Sequence, residues 1–105
     1  MGIQLVYMTA ADREEADRIA ADLVESRTAA CANIIDGMRS VYRWEGRLCK
    51  DTEQVVIAKT TDALLERLIE RVCALHSYEC PCIVSFPVTG GHSPFLEWIA
   101  AEVTP

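Results

Sequence analysis

The segment from Ala29 to Gly46 reads Ala-Ala-Cys-Ala-Asn-Ile-Ile-Asp-Gly-Met-Arg-Ser-Val-Tyr-Arg-Trp-Glu-Gly, a β-patterned ribbon with a cysteine near its start and an aromatic pair near its end. From Met38 to Trp44, alternate residues (Met38, Ser40, Tyr42, Trp44) fall on one face, and Arg39, Val41 and Arg43 fall on the other. A ribbon this long in a chain of 105 residues projects beyond its own core. Large amphipathic rings on a projection favour burial against something else, and the expected something is another copy of the chain.

The remaining elements follow from patterning. Ile3 to Met8 is an almost wholly apolar run, expected as a central strand covered on both faces. Asp12 with Glu15 three residues later forms a capping-box start, and Ala16, Ile19, Ala20, Leu23 and Val24 recur at helical spacing, which predicts a helix from about Asp12 to Ser26. Within the ribbon Asp36-Gly37 marks a bulge or bend, and Glu45-Gly46 turns it into a hairpin whose return limb runs from Arg47 to Lys59. The polar stretch Lys50 to Glu53 is expected towards the exposed end of that limb. A second helix begins near Thr61 or Asp62 and carries Leu64, Leu65, Leu68, Ile69, Val72, Cys73 and His76 along one side. Ile83 to Val88 supplies the last strand. Ser93-Pro94 then forms the N-cap and first position of a terminal helix packed down by Leu96, Trp98, Ile99 and Val103.

The order strand, helix, strand, strand, helix, strand, plus a closing helix, predicts an α+β fold: a ferredoxin-like βαββαβ sandwich in a single domain, 1–105. Both major helices belong on one face of the sheet. The other face then lacks an intrachain cover, so self-association is expected.

Sixteen acidic against ten basic side chains leave a net charge of −6, which disfavours nucleic acid phosphate as a partner. No apolar run approaches the roughly 20 residues a membrane helix needs. The first residues lack the basic segment and small-residue cleavage site of a signal peptide, so a cytoplasmic location is expected. Five cysteines, an odd number, are then expected as reduced thiols, each either core filler or ligand. Cys73 belongs to the apolar helix stripe, and Cys49 to the polar limb. Cys80-Pro81-Cys82 places two sulfurs on the same side of an extended segment, in reach of one soft ion. No Gly-x-Ser-x-Gly elbow, Gly-rich phosphate loop or His-Glu-x-x-His helix is present, so no catalytic residues are assigned and the chain is not expected to be an enzyme.

Five segments, taken in order and spacing, carry a resemblance: Leu23 to Ile34, Ser40 to Gly46, Lys59-Thr60, His76 to Pro81, and Phe95 to Ile99. Together they resemble the CutA divalent-cation tolerance proteins over nearly the whole chain. The resemblance implies a ferredoxin-like subunit assembled into a homotrimer and associated with tolerance of copper and other divalent metals. By the resemblance Cys31 matches the family cysteine most often linked to metal binding and His76 matches the family histidine; Cys80 and Cys82 are possible additional ligands from their spacing. Thiolate plus imidazole suits copper or zinc. Tyr42, Trp44, Lys59, Tyr78 and Glu79 are implied to form a pocket near subunit boundaries. Two departures matter: Ser77 stands where the family commonly has proline, and Cys82 where it commonly has glutamate. The alternative reading is a trimeric signalling or scaffold protein, similar in architecture to PII proteins, that senses a small ligand such as an anion in that pocket.

Overall fold

The computed structural model describes residues 2–105; Met1, the first residue of the expected domain, lies outside the described residues. Strand β1 (Ile3–Ala10) is followed by helix α1 (Arg13–Glu25), the long strands β2 (Cys31–Trp44) and β3 (Arg47–Thr61), and a 3-10 turn (Asp62–Leu64) that leads into α2 (Leu65–Leu75). Strand β4 (Ile83–Val88) and helix α3 (Ser93–Glu102) complete the chain. The sheet is antiparallel throughout in the order β2-β3-β1-β4, which is the ferredoxin-like arrangement.

Alternation decides which face each side chain takes. Val6, Met8 and Ala10 of β1, with Val56 and Ala58 of β3, point into the main core. There they meet Ala16, Ile19 and Leu23 of α1 and Leu68 and Val72 of α2. Both long helices therefore cover one face. Leu5 and Tyr7 point the other way, and their register partners Lys59, Ile57, Phe86 and Val84 share that face. Helix α3 closes only one end of it, packing Ile99 and Val103 against Ile3, Ala30 and Leu64. Contrary to the expectation that β1 is covered on both sides, the rest of this face is open: Phe86 is 54% exposed, Ile35 55% and Val84 47%.

The capping box of α1 is present, with Glu15 N–H donating to Asp12 Oδ1 at 2.8 Å. The hairpin reverses through Glu45 and Gly46, both at positive φ (49° and 77°), the signature of a two-residue type I′ turn. The bulge lies between Ile35 and Met38, with Gly37 at φ 73°. Molecular extents of 44 × 25 × 22 Å reflect the hairpin running beyond the core.

Four local expectations need correction. Glu53 is buried rather than exposed, because it sits at the root of the hairpin under the α2–β4 loop. Cys73 faces solvent, since Leu68 and Val72 define the buried stripe of α2. His92, not Ser93, is the N-cap of α3, and it makes no side-chain capping bond. Trp98 stays exposed and stacks on Phe95 at 5.6 Å, while Leu96, Ile99 and Val103 hold the helix down.

Candidate functional site: a cleft at the root of the hairpin

Helix α2 ends at Leu75, and the loop that follows folds back over the end of the sheet. His76 anchors it. Tyr78 N–H donates to His76 Nδ1 at 3.1 Å, which leaves the ring proton on Nε2 to donate to the Thr9 carbonyl at 2.7 Å. With its side chain fully buried and both nitrogens engaged, His76 acts as a structural pin in this conformation. Ser77 contributes as well. Its N–H, which a proline would lack, donates to Glu15 Oε2 at 2.8 Å, and Glu15 Oε1 accepts from Ala11 N–H at 2.9 Å. Burial pushes the Glu15 carboxyl up, but the Ala11 and Ser77 hydrogen bonds and the nearby His76 ring outweigh it and hold the group below the usual carboxylate range.

The anchored loop delivers Tyr78 to Glu53, whose Oε2 accepts from the phenol at 2.8 Å. Burial, reinforced by that carboxylate, pushes the Tyr78 phenol well above the usual tyrosine range. Tyr42, further out on the hairpin, donates to Asp51, and that bond raises its phenol to about 12. Tyr7 Oη donates to Met38 Sδ at 3.2 Å. Between the hairpin root and the loop lies a cleft of about 570 Å³, lined by Tyr7, Met38, Tyr42, Trp44 and Glu53 from the strands and by Tyr78, Glu79, Cys80 and Cys82 from the loop and the segment after it.

Of the pocket residues expected from sequence, Tyr42, Trp44, Tyr78 and Glu79 meet in this cleft and Lys59 does not. Lys59 lies on the open sheet face, pairs in register with Cys31 and donates to Asn33 Oδ1. The four candidate metal ligands are likewise divided. Cys80 and Cys82 are exposed and line the cleft, His76 is buried beneath it, and Cys31 sits on the open face beside Lys59. Among the described residues, no three His, Cys, Asp or Glu side chains close on a common point. What the cleft offers a cation is a set of donors around a wall: two thiols, the Met38 thioether and the carboxylates of Glu53 and Glu79. No lysine or arginine lines it.

Sequence reasoning missed Glu53, Tyr7 and Thr9 as site residues. The signal for Glu53 was present: across the hairpin it pairs with Met38, which shares a face with Tyr42 and Trp44. Finding it required the exact register beyond the bulge.

Among the described residues, no helix is long and apolar enough to cross a membrane. The profile of the CutA1 divalent ion tolerance protein family matches residues 4–102. The chain is 43% identical over 95 residues to the chloroplastic protein CutA of Arabidopsis thaliana, covering 90% of this chain and 52% of that protein. It is 43% identical over 96 residues to the divalent-cation tolerance protein CutA of Thermus thermophilus, covering 91% and 93% respectively. Thus the chain spans about half the length of the plant relatives it matches and nearly all of the bacterial one. Among solved structures, the Thermus thermophilus protein superposes with a TM-score of 0.95 at 40% identity, covering 97% of this chain and 99% of that one. CutA1 from Oryza sativa gives 0.96 at 36% identity, covering 99% and 95%. On a match that spans nearly all of the described residues in both sequence and fold, this chain belongs to the CutA1 divalent ion tolerance protein family.

Proposed function

We propose that the chain contributes to divalent metal tolerance in the cytoplasm by capturing soft metal ions, copper foremost, as a homotrimer. The observation that carries the metal reading is the composition of the cleft: Cys80 and Cys82 stand exposed beside Glu79, the hairpin root adds Met38 and Glu53, and no lysine or arginine lines the space. Thiolates and a thioether favour soft ions, and the carboxylates offset the ion's charge. Because the donors ring a cleft, capture requires the two exposed thiols flanking Pro81 to turn onto the ion. The name of the Thermus thermophilus relative, divalent-cation tolerance protein, agrees with this reading.

The trimer reading rests on separate features. The open sheet face carries Ile35, Val84 and Phe86 half exposed, and β2 is an edge strand that continues into the projecting hairpin. A second copy is the simplest cover for both. The small-ligand sensor alternative draws no basic side chain from this cleft, because Lys59 lies on the open sheet face.

The test is an anaerobic titration of reduced protein with Cu(I), Cu(II) and Zn(II). It compares the unaltered chain with Cys31→Ala, His76→Ala and the double Cys80→Ala, Cys82→Ala form. Loss of tight uptake only in the double variant is the expected result; equal uptake in all forms would dismiss the assignment.

A further inference from the structure

A buried carboxylate is costly unless a cation or several hydrogen bonds compensate it. Glu53 is 7% exposed, yet the phenol of Tyr78 is its sole side-chain partner among the described residues, and no lysine, arginine or histidine lies within ion-pairing distance. It borders the cleft, and the oxygen that Tyr78 does not engage stays accessible there to a ligand cation. The surrounding wall defines what kind. Tyr7, Tyr42, Trp44 and Tyr78 bring four aromatic rings to the same space, and Glu79 adds a second carboxylate. All three phenolic protons are already committed, to Met38, Asp51 and Glu53. The cleft therefore presents ring surface and carboxylate oxygen, and has no free phenol with which to bind an anion.

A volume of about 570 Å³ is the size of a small organic molecule's site and far exceeds a single bare ion. Aromatic rings are poor donors to a metal ion compared with thiolate or carboxylate, but they attract alkylated ammonium groups through the ring quadrupole, most strongly where water is excluded. We propose that this cleft binds a small alkylated ammonium ion, its charge paired with Glu53 and its alkyl groups set among the rings of Trp44, Tyr42, Tyr78 and Tyr7. This goes beyond the metal reading and needs neither thiol.

The chain has two tryptophans, so a Trp98→Phe background leaves Trp44 as the fluorescent reporter. Choline chloride is titrated into that protein at ionic strength held constant with sodium chloride, alongside its neutral isostere 3,3-dimethylbutanol. Saturable quenching by choline, with the isostere at least about tenfold weaker, is expected. Glu53→Gln is expected to weaken choline binding by a similar factor. Trp44→Leu, on the exposed hairpin, is read by calorimetry and decides the matter if Glu53→Gln does not fold; about tenfold weakening is expected. Absence of saturation, equal binding of the isostere, or undiminished binding by a folded Glu53→Gln or by Trp44→Leu would each overturn the proposal. A failed metal titration would leave the choline result untouched, so the two readings fall separately.

Discussion

The phenol of Tyr78 crosses the end of the sheet to donate to Glu53 Oε2 at 2.8 Å, so one hydrogen bond ties the α2–β4 loop to the root of the hairpin. Those two segments form the opposite walls of the cleft. Tyr78→Phe keeps the ring and removes the donor, which strands a buried carboxylate. A loss of about 1–3 kcal/mol is expected. Urea unfolding with an unchanged slope and a lower midpoint would show it.

The two raised phenols set the alkaline limb of stability. Tyr78 and Tyr42 both keep their protons in the folded chain beyond the ordinary tyrosine value of 10.0, Tyr78 because it is buried and donates to Glu53, and Tyr42 because it donates to Asp51. Below that value their contribution is complete, and it is lost as pH rises through the folded values, since the unfolded chain ionises first. Phenolate absorbance of the native protein should therefore retain a late component, above pH 10, that shrinks in Tyr42→Phe and again in the double variant with Tyr78→Phe.

Acid acts on the other side of the same loop. Glu15 is held below its ordinary value of 4.5 despite burial, so its contribution is full above that pH and disappears as pH falls through the lowered folded value. Glu15→Gln should unfold with a shallower pH dependence below 4.5. Glu15→Ala, which leaves the N–H groups of Ala11 and Ser77 without acceptors, should cost about 1–3 kcal/mol at neutral pH. Thermal unfolding across a pH series tests both.

At the tip of the hairpin, Glu45 occupies left-handed backbone at φ 49° next to Gly46. A glutamate side chain gains nothing there, whereas asparagine tolerates this conformation and precedes glycine in the favoured type I′ pair. Glu45→Asn should raise stability by about 0.5–1 kcal/mol without altering the cleft. A raised unfolding midpoint would confirm it.

The residues that were readable from sequence share one property: their environment is set by neighbours a few positions away. Asp12 and Glu15 marked the start of α1, Asp36-Gly37 marked the bulge, and Ile83 to Val88 were bounded by breakers on both sides. Tyr42, Trp44, Tyr78 and Glu79 were also found, through family resemblance rather than local pattern. What stayed hidden depended on contacts between distant segments. Glu53 reads as a solvated charge until the loop at Tyr78 covers it, 25 residues away in sequence. His76 reads as a free imidazole until Thr9, 67 residues away, accepts its proton. Lys59 matched the family pocket by sequence, yet strand register turns it onto the open face with Cys31.

The cleft between the hairpin root and the Tyr78–Cys82 loop is the proposed place of cation binding. Amide NMR of the reduced, isotope-labelled protein titrated anaerobically with Zn(II) tests this most directly. Saturable shifts confined to Met38–Trp44, Glu53 and Tyr78–Cys82 are predicted. Shifts centred on Cys31 and Lys59, or around Cys73 on the far side of α2, would contradict it.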